Sequence, residues 1–195
     1  GPIEANTYII FDKNSRDTAL VEVSGDAQKI KQELDTLGAN LKYILLTHGH
    51  FDHVFAVNDL KKLCPQAKVF LNKEDEVLTE NIAAQCAHFG IAGIEKPQID
   101  DYVDENTGLS LGDIKIKVIH TPGHSKGSVC YLAGNDLFSG DTLFFEEIGR
   151  CDLFGGSFSQ IEKSIREKIF ILDKDIIVHP GHGQDTSIAH EVKYN

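Results

Sequence analysis

The chain has 195 residues, 41% hydrophobic and 25% charged, a composition that excludes collagen, coiled coil or disorder as a description of the whole. Its length suits one domain over residues 1–195, able to bury roughly 70% of its unfolded surface without disulfide staples. Nineteen Lys and Arg against 30 Asp and Glu give a net charge of −11, which repels phosphate backbones, so nucleic-acid and membrane partners are not expected.

Taken in order, residues 7–11 (TYIIF) and 18–23 (TALVEV) are apolar and β-branched, and the polar stretch 12–17 between them predicts a hairpin. Ala27, Ile30, Leu34 and Leu37 recur at spacings of three and four before Gly38, the pattern of an amphipathic helix with a glycine stop. Residues 43–46 (YILL) read as a buried strand that runs into Thr47. Helical spacing follows over 54–63, a strand over 68–71, and one or two helices over 73–89, whereas 91–110 read as mostly irregular. Alternation over 114–119 predicts a half-buried strand, with two more over 128–132 and 136–138. Ser157 and Gln160 predict a capping box for a helix carrying Phe158, Ile161, Ile165 and Ile169. A strand over 175–178 and a short helix close the chain. Strands and helices mix in both halves, so an α/β chain with a sheet-on-sheet core under outer helices is expected.

No stretch approaches the ~20 apolar residues of a membrane span, and no leader is read at the start. Cys64, Cys86, Cys130 and Cys151 lie far apart and form no CxxC pair. Free thiols and a cytoplasmic setting are expected.

The histidines carry the main signal. Residues 47–53 read Thr-His-Gly-His-Phe-Asp-His directly after a strand. In such a loop His48 and His50 point one way, and Asp52 and His53 turn to a second point nearby. Imidazole and carboxylate suit zinc, iron and manganese. His124, Asp141 and His182 each follow a further strand end, and donors collecting at one sheet edge make one site. A carboxylate has two oxygens and can bridge. The expected division is His48, His50 and His124 on one ion, Asp52, His53 and His182 on another, and Asp141 between them. Two divalent ions ~3.5–4 Å apart hold a bridging hydroxide. Zinc is expected first, with iron and manganese fitting the same donors. Asp52 and Asp141 are the catalytic carboxylates of this reading. His120 and His179 flank Pro-Gly turns and are read as supporting donors or as structural, and His88 and His190 as structural.

These motifs resemble the metallo-β-lactamase superfamily, and within it the short single-domain glyoxalase II-like (hydroxyacylglutathione hydrolase-like) group. The stretches that carry the likeness are 4–8 (EANTY), 47–53, 121–125 (TPGHS), 140–144 (GDTLF), 148–150 (IGR) and 180–188 (PGHGQDTSI). The resemblance implies an αββα sandwich with a dinuclear site, and as ligands the same seven residues, His48, His50, Asp52, His53, His124, Asp141 and His182. It also implies hydrolysis of a small-molecule thioester such as S-lactoylglutathione, or of a related acyl compound. A thiolate leaves readily because its thiol has a pKa near ~8.5, so no strong general acid is required. Iron-dependent persulfide dioxygenases and lactonases share these motifs, and a non-catalytic metal-binding scaffold is the reading from another class. Metallo-β-lactamases proper usually lack the equivalents of Asp141 and His53, which points away from an antibiotic hydrolase.

Two stretches depart from the group's pattern. Glu22-Val23-Ser24-Gly25 stands where an Asp-Pro-Gly turn usually ends the first hairpin. Arg150 and Asp152 stand where two-domain members place a Lys and a Tyr. Arg150 is expected either to bind a substrate carboxylate or to form a structural ion pair. Phe144 and Phe145 are expected at the mouth of the site or in the core.

Overall fold

A hairpin of β1 (Tyr8–Phe11) and β2 (Asp17–Val21) opens the first sheet, with Ile9 opposite Leu20. The computed structural model describes residues 3–195. α1 (Ala27–Leu37) returns the chain so that β3 (Asn40–Leu45) lies parallel to β2. Asp26 starts α1 by accepting the N–H groups of Gln28 and Lys29, and Gly38, at φ 61°, ends it. The helical stretch predicted over 54–63 is two helices, α2 (Phe51–Val54) and α3 (Val57–Leu63). They part where the Ala56 N–H is drawn to the Val23 carbonyl at 2.9 Å. β4 (Lys68–Leu71), α4 (Glu76–Glu80), α5 (Ile82–His88) and β5 (Asp101–Tyr102) complete this half. Its five strands run in the order β1-β2-β3-β4-β5.

The second half is a meander of β6 (Leu109–Leu111), β7 (Ile114–His120), β8 (Val129–Ala133) and β9 (Asp136–Gly140). β5 thus lies inside, and β6 begins at the end of, the stretch 91–110 that reads as irregular. A small hairpin of β10 (Leu143–Phe144) and β11 (Glu147–Ile148) follows. α6 (Phe158–Ser164) widens into a further turn over Ile165–Ile169. β12 (Ile177–Pro180) then pairs parallel to β9, and β13 (Thr186–Ser187) and α7 (Ile188–Tyr194) end the chain. The second sheet has the order β13-β12-β9-β8-β7-β6.

Alternation along the strands sets the layers. Ala19, Val21, Leu45 and Phe70 of the first sheet pack against Val118, Val129, Tyr131 and Phe138 of the second. Leu20, Ile44 and Val69 face the other way, onto Leu34, Val57 and Ile82 of the helices. Ile119, Leu137 and Val178 do the same with Ile161, Ile169 and Ile188. The result is an αββα sandwich. Tyr131, fully buried, donates its hydroxyl to the Leu46 carbonyl at 3.0 Å and ties the sheets together beside the His48 loop. All four cysteines are free. No helix of the described residues is long and apolar enough to cross a membrane.

One local expectation fails at α6. Ser157 occupies the N-cap but makes no side-chain capping bond. Its N–H, which Gln160 would accept in a capping box, is donated instead to the Gly123 carbonyl at 2.7 Å. The helix does start at Phe158, which is largely exposed, while Ile161 and, in the turn that follows, Ile165 and Ile169 are buried.

Candidate metal centre

The loops that follow β3, β7, β9 and β12 leave one edge of the sandwich, and their histidines and carboxylates converge there. His50 Nδ1 and His124 Nε2 stand 2.9 Å apart, and His124 Nε2 and His48 Nε2 3.2 Å apart. Beside them His182 Nε2 lies 3.1 Å and His53 Nε2 3.5 Å from Asp52 Oδ2. The donor atoms therefore form two groups, His48-His50-His124 and Asp52-His53-His182. Asp141 reaches both: Oδ1 is 3.4 Å from His53 Nε2 and Oδ2 is 3.5 Å from His124 Nε2. This is the division read from the spacing. A third cluster, not foreseen, sets Glu22 beside His48 and His53.

Electrostatics distinguish the groups. Burial pushes the His48 imidazole well below its usual range, and neighbouring imidazoles push the same way. His50 moves in the same direction for the same reasons. A neutral imidazole offers a lone pair. Burial also opposes charge on His53, but the carboxylates of Asp141 and Glu22 outweigh it and raise that ring well above its usual value. The hydrogen bond to Asp52 raises His182 despite partial burial. Burial disfavours ionised Asp141, yet His53, His124 and His182 hold it well below the usual carboxylate range. Asp52 is lowered too, since its bond to His182 and the charge of His53 outweigh burial.

The residues fit a cation. His53 Nδ1 and Nε2 and Asp141 Oδ1 are buried without any hydrogen-bond partner. Buried polar atoms rarely go unpaired, and metal coordination is one way to satisfy them. His124 donates Nδ1–H to the Arg150 carbonyl at 2.8 Å, so its Nε2 faces the cluster as an acceptor. Small residues keep the backbone close: a Cβ on Gly181 would overlap Asp141 Oδ1 and the His53 ring.

The supporting residues were harder to foresee. Asp75, 1% exposed, accepts the Gly49 N–H at 3.0 Å and the Ser125 hydroxyl at 2.6 Å on Oδ2, and the Gly127 N–H at 2.7 Å on Oδ1. One carboxylate thus straps the His48-His50 loop to the His124 loop. Burial pushes Asp75 upward even against these bonds. Its signal in the sequence is a carboxylate just past the end of β4, hidden in the run Lys73-Glu74-Asp75-Glu76. Glu22, at φ 65°, accepts the Thr47 N–H at 2.8 Å and places Oε2 3.4 Å from His53 Nδ1. The departure at 22–25 therefore still supplies a carboxylate behind His53. Asn6 and Tyr8 brace the loop of His182 by donating to the Pro180 carbonyl at 3.0 and 2.8 Å.

A cleft of about 850 Å³ opens from the donors. Phe144 and Arg150 line it, but the Arg150 guanidinium is already bound to Asp152 by bonds of 2.7 and 2.8 Å. Phe145 turns away and stacks on His190. His190 pairs with Glu146, His179 with Asp136 and Asp185, and His120 with the Lys126 carbonyl, all away from the donors. His88 lies on the cleft wall.

The model of the metallo-beta-lactamase superfamily matches residues 1–182. The hydroxyacylglutathione hydrolase GloC of Haemophilus influenzae is 33% identical, over 98% of this chain and 92% of its own. Among solved structures, the BLEG-1 B3 metallo-beta-lactamase superposes with a TM-score of 0.92 at 34% identity, over 100% of this chain and 94% of its own. TTHA1623, solved in a di-iron-bound form, superposes with a TM-score of 0.89 at 32% identity, over 100% of this chain and 96% of its own. Sandwich, donor loops and likeness agree along nearly the whole length, and the chain belongs to the metallo-beta-lactamase superfamily.

Proposed function

We propose that this protein is a metal-dependent hydrolase of activated acyl compounds, thioesters first among them. It would use two divalent ions, zinc before iron or manganese, with His48, His50, His124, Asp52, His53, His182 and Asp141 as ligands. The observation that carries the reading is Asp141, which stands between the donor groups: Oδ1 faces His53, Oδ2 faces both His124 and His182, and buried Oδ1 has no hydrogen-bond partner. Such ions, when bound, lower the pKa of a water to near ~7 and polarise a carbonyl.

The chain's own contribution is placement. Burial keeps His48 and His50 neutral, with lone pairs free. Asp52 stays ionised on the cleft wall, able to accept a hydrogen bond from the attacking water. The water oxygen joins the acyl carbon, the C–S bond breaks, and the proton lost by the water is available to the departed thiolate. The thiolate leaves unaided, because it is only weakly basic.

The test is anaerobic hydrolysis of S-lactoylglutathione by metal-loaded protein, followed by loss of thioester absorbance. Turnover without oxygen, abolished in His53→Ala, is the expected result. Oxygen uptake with a persulfide in place of anaerobic hydrolysis would move the reading to dioxygenase chemistry. A β-lactam is also an activated acyl compound, and the likeness to BLEG-1 makes a chromogenic cephalosporin the second substrate. Faster turnover of the lactam than of any thioester would put β-lactams ahead of thioesters and overturn the reading.

A further inference from the structure

The hydrolase reading leaves the acyl group open, and the cleft narrows it. Twelve large hydrophobic side chains are exposed among the described residues, and four of them, Ile3, Val77, Phe89 and Phe154, line this one cleft. Phe154 is 67% exposed and Phe89 41%. Phe144 carries the apolar wall inward to the His182 ring, 6.4 Å between centroids. Exposed apolar surface gathered at the mouth of a cleft marks ligand contact.

The polar groups on the same walls are mostly engaged. Gln85 accepts the Phe51 N–H at 3.1 Å and donates to the Leu78 carbonyl at 2.7 Å. Asn81 donates to the Val77 carbonyl at 2.8 Å. His88 sets its ring edge-on to Phe89. Arg150 is the one Lys or Arg lining the cleft among the described residues, and Asp152 occupies its fork. Glu147, also on the wall, adds a negative charge. The cleft is therefore polar at its donor end, and its mouth sets exposed apolar side chains beside Glu147 and the mutually paired Arg150 and Asp152.

We propose that this cleft selects thioesters whose acyl chain is neutral and apolar, with the carbonyl at the donor cluster and the chain toward Phe89 and Phe154. The inference rests on the hydrolase reading above. The chain side of the thioester is assigned because common thiol carriers are polar or charged. Glutathione brings two carboxylates to a wall whose single guanidinium is taken. Each methylene that leaves water is expected to raise kcat/KM by about two- to fourfold.

The experiment gives metal-loaded protein a series of N-acetylcysteamine thioesters from acetyl to decanoyl, with a glutaryl member and S-lactoylglutathione alongside. kcat/KM should climb with chain length until the cleft is full, and the glutaryl thioester should fall below the pentanoyl one. Phe89→Ser and Phe154→Ser should flatten the climb. Measurable turnover without a climb overturns the acyl inference and leaves the hydrolase reading intact. Absence of turnover with every thioester sinks the hydrolase reading instead. Titration calorimetry with non-hydrolysable thioether analogues then judges the cleft separately, and a Kd independent of chain length overturns the inference. It also falls if Phe154→Ser converts a dimer to a monomer in sedimentation while the climb is unchanged, since the mouth is then an interface between copies.

Discussion

The two halves of the molecule supply the donor cluster differently. The first half places His48, His50, Asp52 and His53 in one stretch after β3. The second half spreads His124, Asp141 and His182 over loops after β7, β9 and β12. The His48-His50-His124 and Asp52-His53-His182 groups nevertheless each join two residues of the first half to one of the second. The cluster is a seam between the two halves, and of the three groups only Glu22-His48-His53 lies within one half. Local backbone fixes the contiguous donors. The dispersed ones depend on sheet register: Asp141 and His182 follow strands in which Val178 lies beside Leu137 and Pro180 beside Gly140.

The largest effect is expected from breaking the seam at Asp141. Asp141→Asn removes the charge that both groups face. Metal content should drop in both groups, and turnover should fall by more than the roughly 10- to 100-fold typical of a residue that only supports a ligand. Elemental analysis showing full metal content would mean that Asp141 is not shared. The next effect separates the groups. Asp75→Ala leaves the buried Gly49 and Gly127 N–H groups unpaired, costing about 1–3 kcal/mol each, and frees the loops of His48, His50 and His124 from one another. Glu22→Gln acts on His53 instead. Each should weaken one ion by roughly 10- to 100-fold, and not the same one. Stepwise chelator titration of both variants checks this, and identical profiles would erase the distinction.

Protons offer a subtler separation. His48 and His50 are depressed chiefly by burial, whereas carboxylates raise His53 and His182. In metal-stripped protein, a depressed imidazole favours the fold above its usual value of 6.5 and loses that contribution as pH falls below it. A raised imidazole contributes fully below 6.5 and loses its share as pH rises through its folded value. The four rings together should give a stability maximum near pH 6.5, read from denaturant midpoints. Ring-carbon NMR at that pH should find His53 and His182 charged and His48 and His50 neutral. One shared titration midpoint would show the groups to be electrostatically alike.

The same contrast explains what could be read from the sequence. The strands were legible because each sheet buries both faces between layers, which leaves β-branched apolar runs. The seven donors were legible because each stands just past such a run. Asp75 stands in the same kind of place, but its neighbours Glu74 and Glu76 make it look like the solvated start of a helix. Its partners are 26 to 52 positions away, beyond any local pattern. Glu22 looked like the loss of a turn, yet its longer side chain reaches Thr47 and His53. The failed capping box has the same cause, since a carbonyl 34 positions away takes the N–H that Gln160 needed.

That last case gives the smallest and cleanest comparison between the halves. α1, in the first half, is started by the side chain of Asp26, which accepts two N–H groups. α6, in the second, is seated by backbone on the loop that carries His124. Asp26→Ala should therefore cost about 1 kcal/mol, a fall of roughly 2–4 °C in Tm for a chain of this size. Ser157→Ala should be silent within about 0.5 kcal/mol, because the hydroxyl it removes caps nothing. Equal losses would restore the capping box and detach α6 from the donor loop. With the expected difference, the start of α6 belongs to the scaffold of the donor cluster, held by the same Gly123 loop that carries His124.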